Sequence, residues 1–276
     1  MIIIITKIAC NNLILLILML MVLNNSSAQD DSIRFKEVAS FSVPEARQGI
    51  AVDSQFFYVI DSKQIAKYEK ETGKIIKKWI ESGDGEIIHL NSGVIVEGKL
   101  ICAHSNYPGI PMTSSVEIWD AQNLEHIDSH SFGIKWGSCT WIDWYQGFWW
   151  AAFAHYNKFE DINYTNNSYS TLVKFDKNWR AIEAWVYPTL LIERFDGMSN
   201  SGGSWGQDGY LYLTGHDRDE IYVVSLPSAG SVLVLKKILP IGIKGQGICW
   251  DRMQKSVLYT IRREDMQVVV FRLQDR

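Results

Sequence analysis

Polar residues recur at equivalent positions in a segment that this chain repeats five times. The fourth residue after a matched strand position carries a group that can bind a metal, move a proton or hold an anion: Asp61, His104, His155, His216 and Arg262. A further histidine, His89, lies in the connection between the first two copies. Neutral imidazole is a ligand for Zn²⁺, Fe²⁺, Mn²⁺ and Cu²⁺. Converging imidazoles would therefore form a divalent metal site whose ligands come from His89, His104, His155 and His216.

Two other interpretations fit the same positions. In the first, the side chains contact a substrate without a metal. His155, His216 and Asp61 transfer protons, and Arg262 or Arg263 holds a carboxylate. In the second, the residues are structural, because polar side chains at strand ends often hydrogen-bond the following turn. The sequence contains no HxH or HExxH spacing, so the metal interpretation depends on the repeat alignment alone. All three interpretations stay open at this point.

The repeat that positions these residues predicts an all-β fold, a five-bladed β-propeller. Each copy opens with an apolar strand, followed by a tight turn and two further strands. Copies of roughly 45 residues built from strand-sized pieces are typical of propellers. The first strand of each copy ends in an acidic or amide residue: Asp53, Glu97, Asp143, Gln207 and Asp251.

The N-terminus predicts how the ring closes. Copies one to four end with a fourth strand, whereas the chain stops soon after the third strand of copy five. A spare strand, Phe35–Val43, precedes the first copy. We expect it to complete the last blade, because closure removes the free sheet edges of an open array.

Loop lengths indicate which face of the ring binds a ligand. The first-to-second and third-to-fourth turns are short, so the long segments all fall on the other face, where the second strands end. Loops held by a rigid scaffold commonly carry binding groups, which places the expected site at the mouth of the central channel. The alternative explanation is that the loops on this face became longer by neutral drift and have no binding role. The long segments are residues 81–92, 104–114, 155–170 and 189–202, with aromatic residues at Tyr107, Tyr156, Phe159 and Tyr164.

The first 29 residues predict a signal peptide. Lys7 supplies positive charge, Leu13–Leu23 is an apolar run, and small residues follow at Ser26–Ala28. The expected product is an exported protein, periplasmic or secreted. Its residues 30–276 would form a single propeller domain with no integral membrane segment. An uncleaved anchor is the alternative.

Composition limits the class of partner. The net charge is −4 and no basic stripe is present, so we expect no nucleic acid partner and favour a small-molecule substrate or ligand. The eleven tryptophans, several of them on strands, are expected to pack between blades.

Short segments of the chain resemble known propellers. Gly49–Asp53 and Gly247–Asp251 are similar to the repeat of NHL and YVTN-type propellers. The blade count and Gly247–Asp251 also resemble the plant-type glutamine cyclotransferases, although no catalytic residue of that family matches a position here. Thr214–Asp217 with Glu220–Val223 resembles bacterial propellers labelled cycloisomerases.

The cyclotransferase activity therefore does not carry over to this chain. We expect a secreted enzyme that acts on a small polar or acidic compound at the channel mouth, with lyase or cyclase chemistry of the cycloisomerase or cyclotransferase kind. The alternative is a non-catalytic propeller that binds a ligand, a glycan or a protein. The aromatic residues of the long loops would suit such contacts.

Overall fold

A computed structural model describes residues 33–83, 85–159 and 166–274. The strands in these ranges form five four-stranded antiparallel sheets arranged in a ring, which confirms the five-bladed propeller. The predicted signal peptide and Tyr164 lie outside the described residues. No helix in the described ranges is long and apolar enough to cross a membrane.

The blades follow the order of the chain. Blade one contains β2 (Gly49–Val52), β3 (Phe56–Asp61), β4 (Gln64–Glu69) and β5 (Ile75–Ile80). Blade two contains β6 (His89–Val96), β7 (Lys99–Ser105), β8 (Ser114–Asp120) and β9 (Glu125–Gly133). Blade three contains β10 (Ser138–Tyr145), β11 (Phe148–Ala154), β12 (Thr171–Phe175) and β13 (Ala181–Val186). Blade four contains β14 (Gly202–Trp205), β15 (Leu211–Thr214), β16 (Glu220–Ser225) and β17 (Val234–Pro240).

Blade five combines the two ends of the propeller. Its strands are β18 (Ile248–Trp250), β19 (Val257–Arg262), β20 (Gln267–Gln274) and, outermost, β1 (Arg34–Ser42). The predicted closing strand, Phe35–Val43, is therefore confirmed, and the observed strand begins and ends one residue earlier than predicted. The ion pair between Arg262 Nη2 of β19 and Glu37 Oε2 of β1, 2.7 Å long, links these two strands across β20.

Two of the long connections are more ordered than expected. The inner strand of blade two begins at His89, inside the predicted connection 81–92, so His89 lies on a strand. The predicted loop 189–202 contains a short helix, α1 (Thr189–Arg194). Sequence reasoning missed both because neither segment has the period or length of a regular element.

Aromatic pairs fill the interfaces between neighbouring blades, as the strand tryptophans predicted. Such rings bury large apolar areas and prefer the offset or edge-to-face geometries seen here. The rigid packing holds the strand ends at the channel mouth in fixed positions. The pairs in ring order, with centroid distances, are Trp79–Trp119 (5.1 Å), Phe132–Phe153 (5.2 Å), Tyr145–Trp205 (4.7 Å), Tyr212–Trp250 (4.9 Å) and Phe57–Tyr259 (6.0 Å).

Acidic residues near the ends of the inner strands form hydrogen bonds and ion pairs with the following turns and with neighbouring blades. Asp251 Oδ1 accepts from the backbone N–H of Met253, and its Oδ2 lies 2.7 Å from Lys70 Nζ of blade one. Asp143 Oδ2 in blade three accepts from the backbone N–H of Trp205 in blade four, at 2.8 Å. The same oxygen lies 2.6 Å from Arg252 Nη2 of blade five, so one carboxylate joins three blades.

Candidate functional site

The inner strands of all five blades begin around one cavity at the end of the ring that the long loops occupy. The cavity has a volume of about 70 Å³. Amide and hydroxyl side chains dominate its lower wall, so a ligand there would meet hydrogen-bonding groups from every blade. One such residue comes from the start of each inner strand: Gln48, Asn91, Thr140, Ser201 and Gln246.

Glycine allows the inner strands to converge beneath this ring. A Cβ atom at Gly49 would lie 2.4 Å from the Cα atom of Ser92, and one at Gly202 would lie 2.4 Å from the carbonyl oxygen of Gln246. Neither distance is possible for a residue with a side chain, because the neighbouring atoms belong to the backbone. The inner strands therefore approach one another closely directly after two residues of the polar ring, Gln48 and Ser201.

His216 lies on the wall of this cavity between blades four and five. Its Nδ1 is 2.7 Å from Asp217 Oδ1, and its Nε2 is 3.2 Å from Arg263 Nη1. A guanidinium group can only donate, so Nε2 accepts and the ring proton lies on Nδ1, where it is donated to Asp217. A carboxylate that fixes the tautomer of an imidazole in this way is typical of a general base, and here the basic Nε2 accepts from Arg263.

His89 lies on the cavity wall at the start of blade two. Its Nδ1 is 3.1 Å from Ser62 Oγ, and its ring packs against Tyr107, 5.1 Å between centroids. No hydrogen bond from the described residues reaches its Nε2. Burial, reinforced by the nearby His104, lowers the pKa of His89 to about 4. The imidazole is therefore neutral at physiological pH and acts as a hydrogen-bonding group, not as a charge.

The low pKa of His89 predicts a loss of stability in acid. The unfolded side chain takes up a proton near pH 6.5 and the folded one only near pH 4, so the unfolded state gains relative stability as the pH falls between these values. We expect the free energy of unfolding to drop by up to about 3 kcal/mol over this window. Urea denaturation at several pH values, with His89→Gln beside wild type, measures the effect. An identical pH dependence in the variant would contradict the assignment.

Tyr107 covers part of the cavity from the loop between β7 and β8. Its ring lies 5.1 Å from that of Tyr156, and the ammonium group of Lys158 lies 4.1 Å from its centroid. Tyr156 is buried, and burial raises the pKa of its phenol. Tyr107 and Tyr156 both line the cavity, so a ligand there would meet two phenol rings.

His104 does not face the cavity. Its Nε2 accepts from the backbone N–H of Ile88 at 3.1 Å, and its Nδ1–H donates to Ser115 Oγ at 2.8 Å. The Ser115 hydroxyl in turn donates to Glu117 Oε1 at 2.6 Å. Both ring nitrogens are occupied, so His104 belongs to a buried polar network inside blade two.

The other three predicted residues also bond to their own blades. The Nε2–H of His155 donates to the carbonyl oxygen of Trp136 at 3.2 Å. Asp61 accepts from the backbone N–H of Ser62 at 2.8 Å. Arg262 pairs with Glu37 in the closing strand, and the neighbouring Arg263 reaches His216. These contacts are of the kind expected for structural caps.

The geometry gives no support to the metal interpretation. Within the described residues, no three His, Cys, Asp or Glu side chains lie where they could share a metal ion. Of the four predicted ligands, only His89 and His216 line the cavity, while His104 and His155 bond elsewhere. The metal hypothesis thus stays a prediction from the repeat alignment, and we base no chemistry on it.

Sequence reasoning missed the polar ring and Asp217. One signal was available: the tripeptide Gln-Gly-Ile occurs at residues 48–50 and again at 246–248, at the start of an inner strand each time. The amide precedes the glycine that permits close strand approach, so its side chain lies at the channel. Asp217 gave no periodic signal, because the other copies have no acid at the corresponding position.

Comparison with known proteins adds support for the fold alone. No protein-family model matches the chain, and no curated protein matches it. The PQQ-bound aldose sugar dehydrogenase of Streptomyces coelicolor aligns at 9% identity with a TM-score of 0.52, covering 88% of this chain and 98% of that chain. A luciferin-regenerating enzyme aligns at 12% identity with a TM-score of 0.48, covering 88% and 95%. Membership of the NHL superfamily is not confirmed.

Proposed function

We propose that the central cavity binds a small hydroxylated carboxylate and that His216 transfers a proton to or from it. The observation that carries the proposal is the Asp217–His216–Arg263 chain, in which His216 lines the cavity and contacts the other two side chains. It combines a general base, the carboxylate that orients it and a cation for the substrate. The ring of amides and hydroxyls below would bind the hydroxyl groups of such a compound.

Arg263 supplies the preference for an acid. Its guanidinium donates to His216 Nε2, a neutral acceptor, and also lies 4.0 Å from the Asp217 carboxylate. A carboxylate accepts charge-assisted hydrogen bonds that are about twice as strong as neutral ones. A bound substrate acid would therefore draw Arg263 away from the imidazole and leave Nε2 free to accept a proton.

The chemistry that follows is elimination or ring closure. His216 Nε2 takes a proton from the carbon next to the carboxylate, and the C–H electron pair forms a double bond as a β-leaving group departs, or attacks an internal electrophile. Asp217 stabilises the imidazolium that forms. In the tautomer whose Nδ1 accepts from Ser62 Oγ, neutral His89 carries its proton on Nε2 and can donate it to a developing oxyanion.

Binding of lactate and L-malate, with lactamide as the uncharged control, tests the substrate class. We expect the acids to raise the melting temperature of the wild type and to bind at least about fivefold more weakly to Arg263→Gln. Arg272→Gln is the matched control, because Arg272 is an exposed arginine on β20 and its loss changes the net charge equally. Equal binding of lactamide, or equal losses in the two variants, would exclude the acid preference.

Exchange of the substrate α-hydrogen in D₂O, followed by NMR, tests the catalytic part. We expect exchange with wild type and a rate about a hundredfold lower with His216→Gln, the usual scale for loss of a general base. Acids that bind normally but exchange at the uncatalysed rate would overturn the enzymatic proposal and favour the non-catalytic ligand-binding propeller.

A further inference from the structure

A second and larger cavity lies at the opposite end of the inner strands. Its volume is about 410 Å³, within the roughly 300–1,000 Å³ range of small-molecule sites. The first cavity is lined where the inner strands begin, and this one where they end, at Val52, Val96 and Trp250. The two cavities have no lining residue in common. Loop length did not predict a site here, because the turns on this face are short.

The walls of the second cavity are aromatic and aliphatic. Trp144 is half-buried and packs against Trp149, 4.6 Å between centroids. Tyr145 is also half-buried and stacks on Trp205 at 4.7 Å with an interplanar angle of 5°. These contacts hold the two cavity-lining rings in place, so an apolar ligand would meet preformed surfaces at little cost in side-chain entropy.

The charged side chain of this cavity that could pair with a ligand is a carboxylate. Of its two charged lining residues, Arg252 is already paired: its guanidinium donates to the carbonyl oxygen of Trp205 and to Asp143 Oδ2. Glu97 is exposed at the rim, and no hydrogen bond or ion pair from the described part of the chain reaches its carboxylate. Aromatic faces also attract cations through their quadrupoles.

We propose that this cavity binds an organic monocation with an apolar body, such as an aryl-alkyl amine. The ammonium group pairs with Glu97 at the rim, and the ring packs on Trp144 and Tyr145. The proposal is independent of the chemistry at His216, because the two cavities share no residue. It assigns a ligand of opposite charge to each end of the channel.

Calorimetric titration with tryptamine, 3-ethylindole and indole-3-acetate tests the charge preference with one ring system. We expect tryptamine to bind most tightly, the neutral compound about fivefold more weakly, and the anion weakest. Equal affinities for the three, or preference for the anion, would overturn the proposal. Failure of tryptamine to bind at millimolar concentration would also overturn the proposal.

The variant Glu97→Gln locates the bound cation. It should weaken tryptamine about fivefold without altering the affinity for 3-ethylindole. The fold should tolerate it, because Gln146 occupies the same place in the corresponding turn with φ 52°, against 50° for Glu97. The matched control Glu71→Gln removes an exposed turn carboxylate that does not line the cavity, and it should leave tryptamine binding unchanged. His216→Gln should also leave tryptamine binding unchanged. Equal losses in Glu97→Gln and Glu71→Gln would refute the site.

Discussion

A chain that begins at residue 44 will lose cooperative unfolding. The shortened chain lacks β1, so the outer edge of β20 in blade five has no partner, and the first part of the propeller chain is no longer joined to the last blade through a shared sheet. It also loses two contacts to neighbouring strands: Phe41 packs on Phe57 of blade one at 5.1 Å, and fully buried Val43 bonds through its N–H to Met266. An exposed strand edge invites association with other chains. We therefore expect aggregation or a broad, non-cooperative transition.

Circular dichroism and calorimetry of two shortened chains measure this effect. A chain beginning at residue 30 removes only the predicted signal peptide and should melt in a single transition. The chain beginning at residue 44 should not. If both melt with the same midpoint and enthalpy, the closing strand is dispensable, and the ring is held by the other blades alone.

Replacement of Asp143 by alanine will cost about 3 kcal/mol or more of unfolding free energy. Asp143 is 2% exposed, and its carboxylate accepts from the backbone N–H of Trp205 while pairing with Arg252. The change leaves the Arg252 guanidinium without its carboxylate partner and a buried backbone N–H without an acceptor. Since about 1 kcal/mol shifts the midpoint by roughly 2–4 °C in a domain of this size, the melting temperature should fall by roughly 6–12 °C.

Asp128→Ala is the matched control for this substitution. Asp128 also accepts from the backbone N–H of the following residue, at 2.9 Å, but it is exposed on β9. Its loss should change the midpoint by less than about 2 °C. A double variant with Arg252→Ala isolates the ion pair, because coupling appears as non-additivity. Equal effects of Asp143→Ala and Asp128→Ala would show that the three-blade contact adds nothing.

The fold could be predicted from the sequence because each blade repeats the same local pattern of strands and turns. Apolar strands and two-residue turns such as Glu97–Gly98 and Gln146–Gly147, both with positive φ, specify hairpins without reference to the rest of the chain. The closing strand could be inferred by counting, since the last copy lacked one. Both inferences use information that lies within one blade or at the ends of the chain.

The site was less predictable because it depends on side-chain direction and on pairs distant in sequence. His104 and His216 occupy aligned positions, yet His104 bonds Ser115 inside its blade while His216 faces the cavity. Likewise Arg262 pairs with the closing strand, and the residue after it reaches His216. A shift of one residue along a strand moves a side chain to the opposite face, and the repeat alignment does not predict which face a given side chain occupies.

The inner strands approach one another closely at Gly49 and Gly202, and a chamber is lined at each end of these strands, with no lining residue in common. Substitutions that adapt one chamber to a new ligand change no residue that lines the other. Selection can therefore act on each end of the propeller alone, and a chain of this kind could acquire a second specificity while keeping its first. The glycines themselves have no such freedom, because any side chain there would force two blades apart.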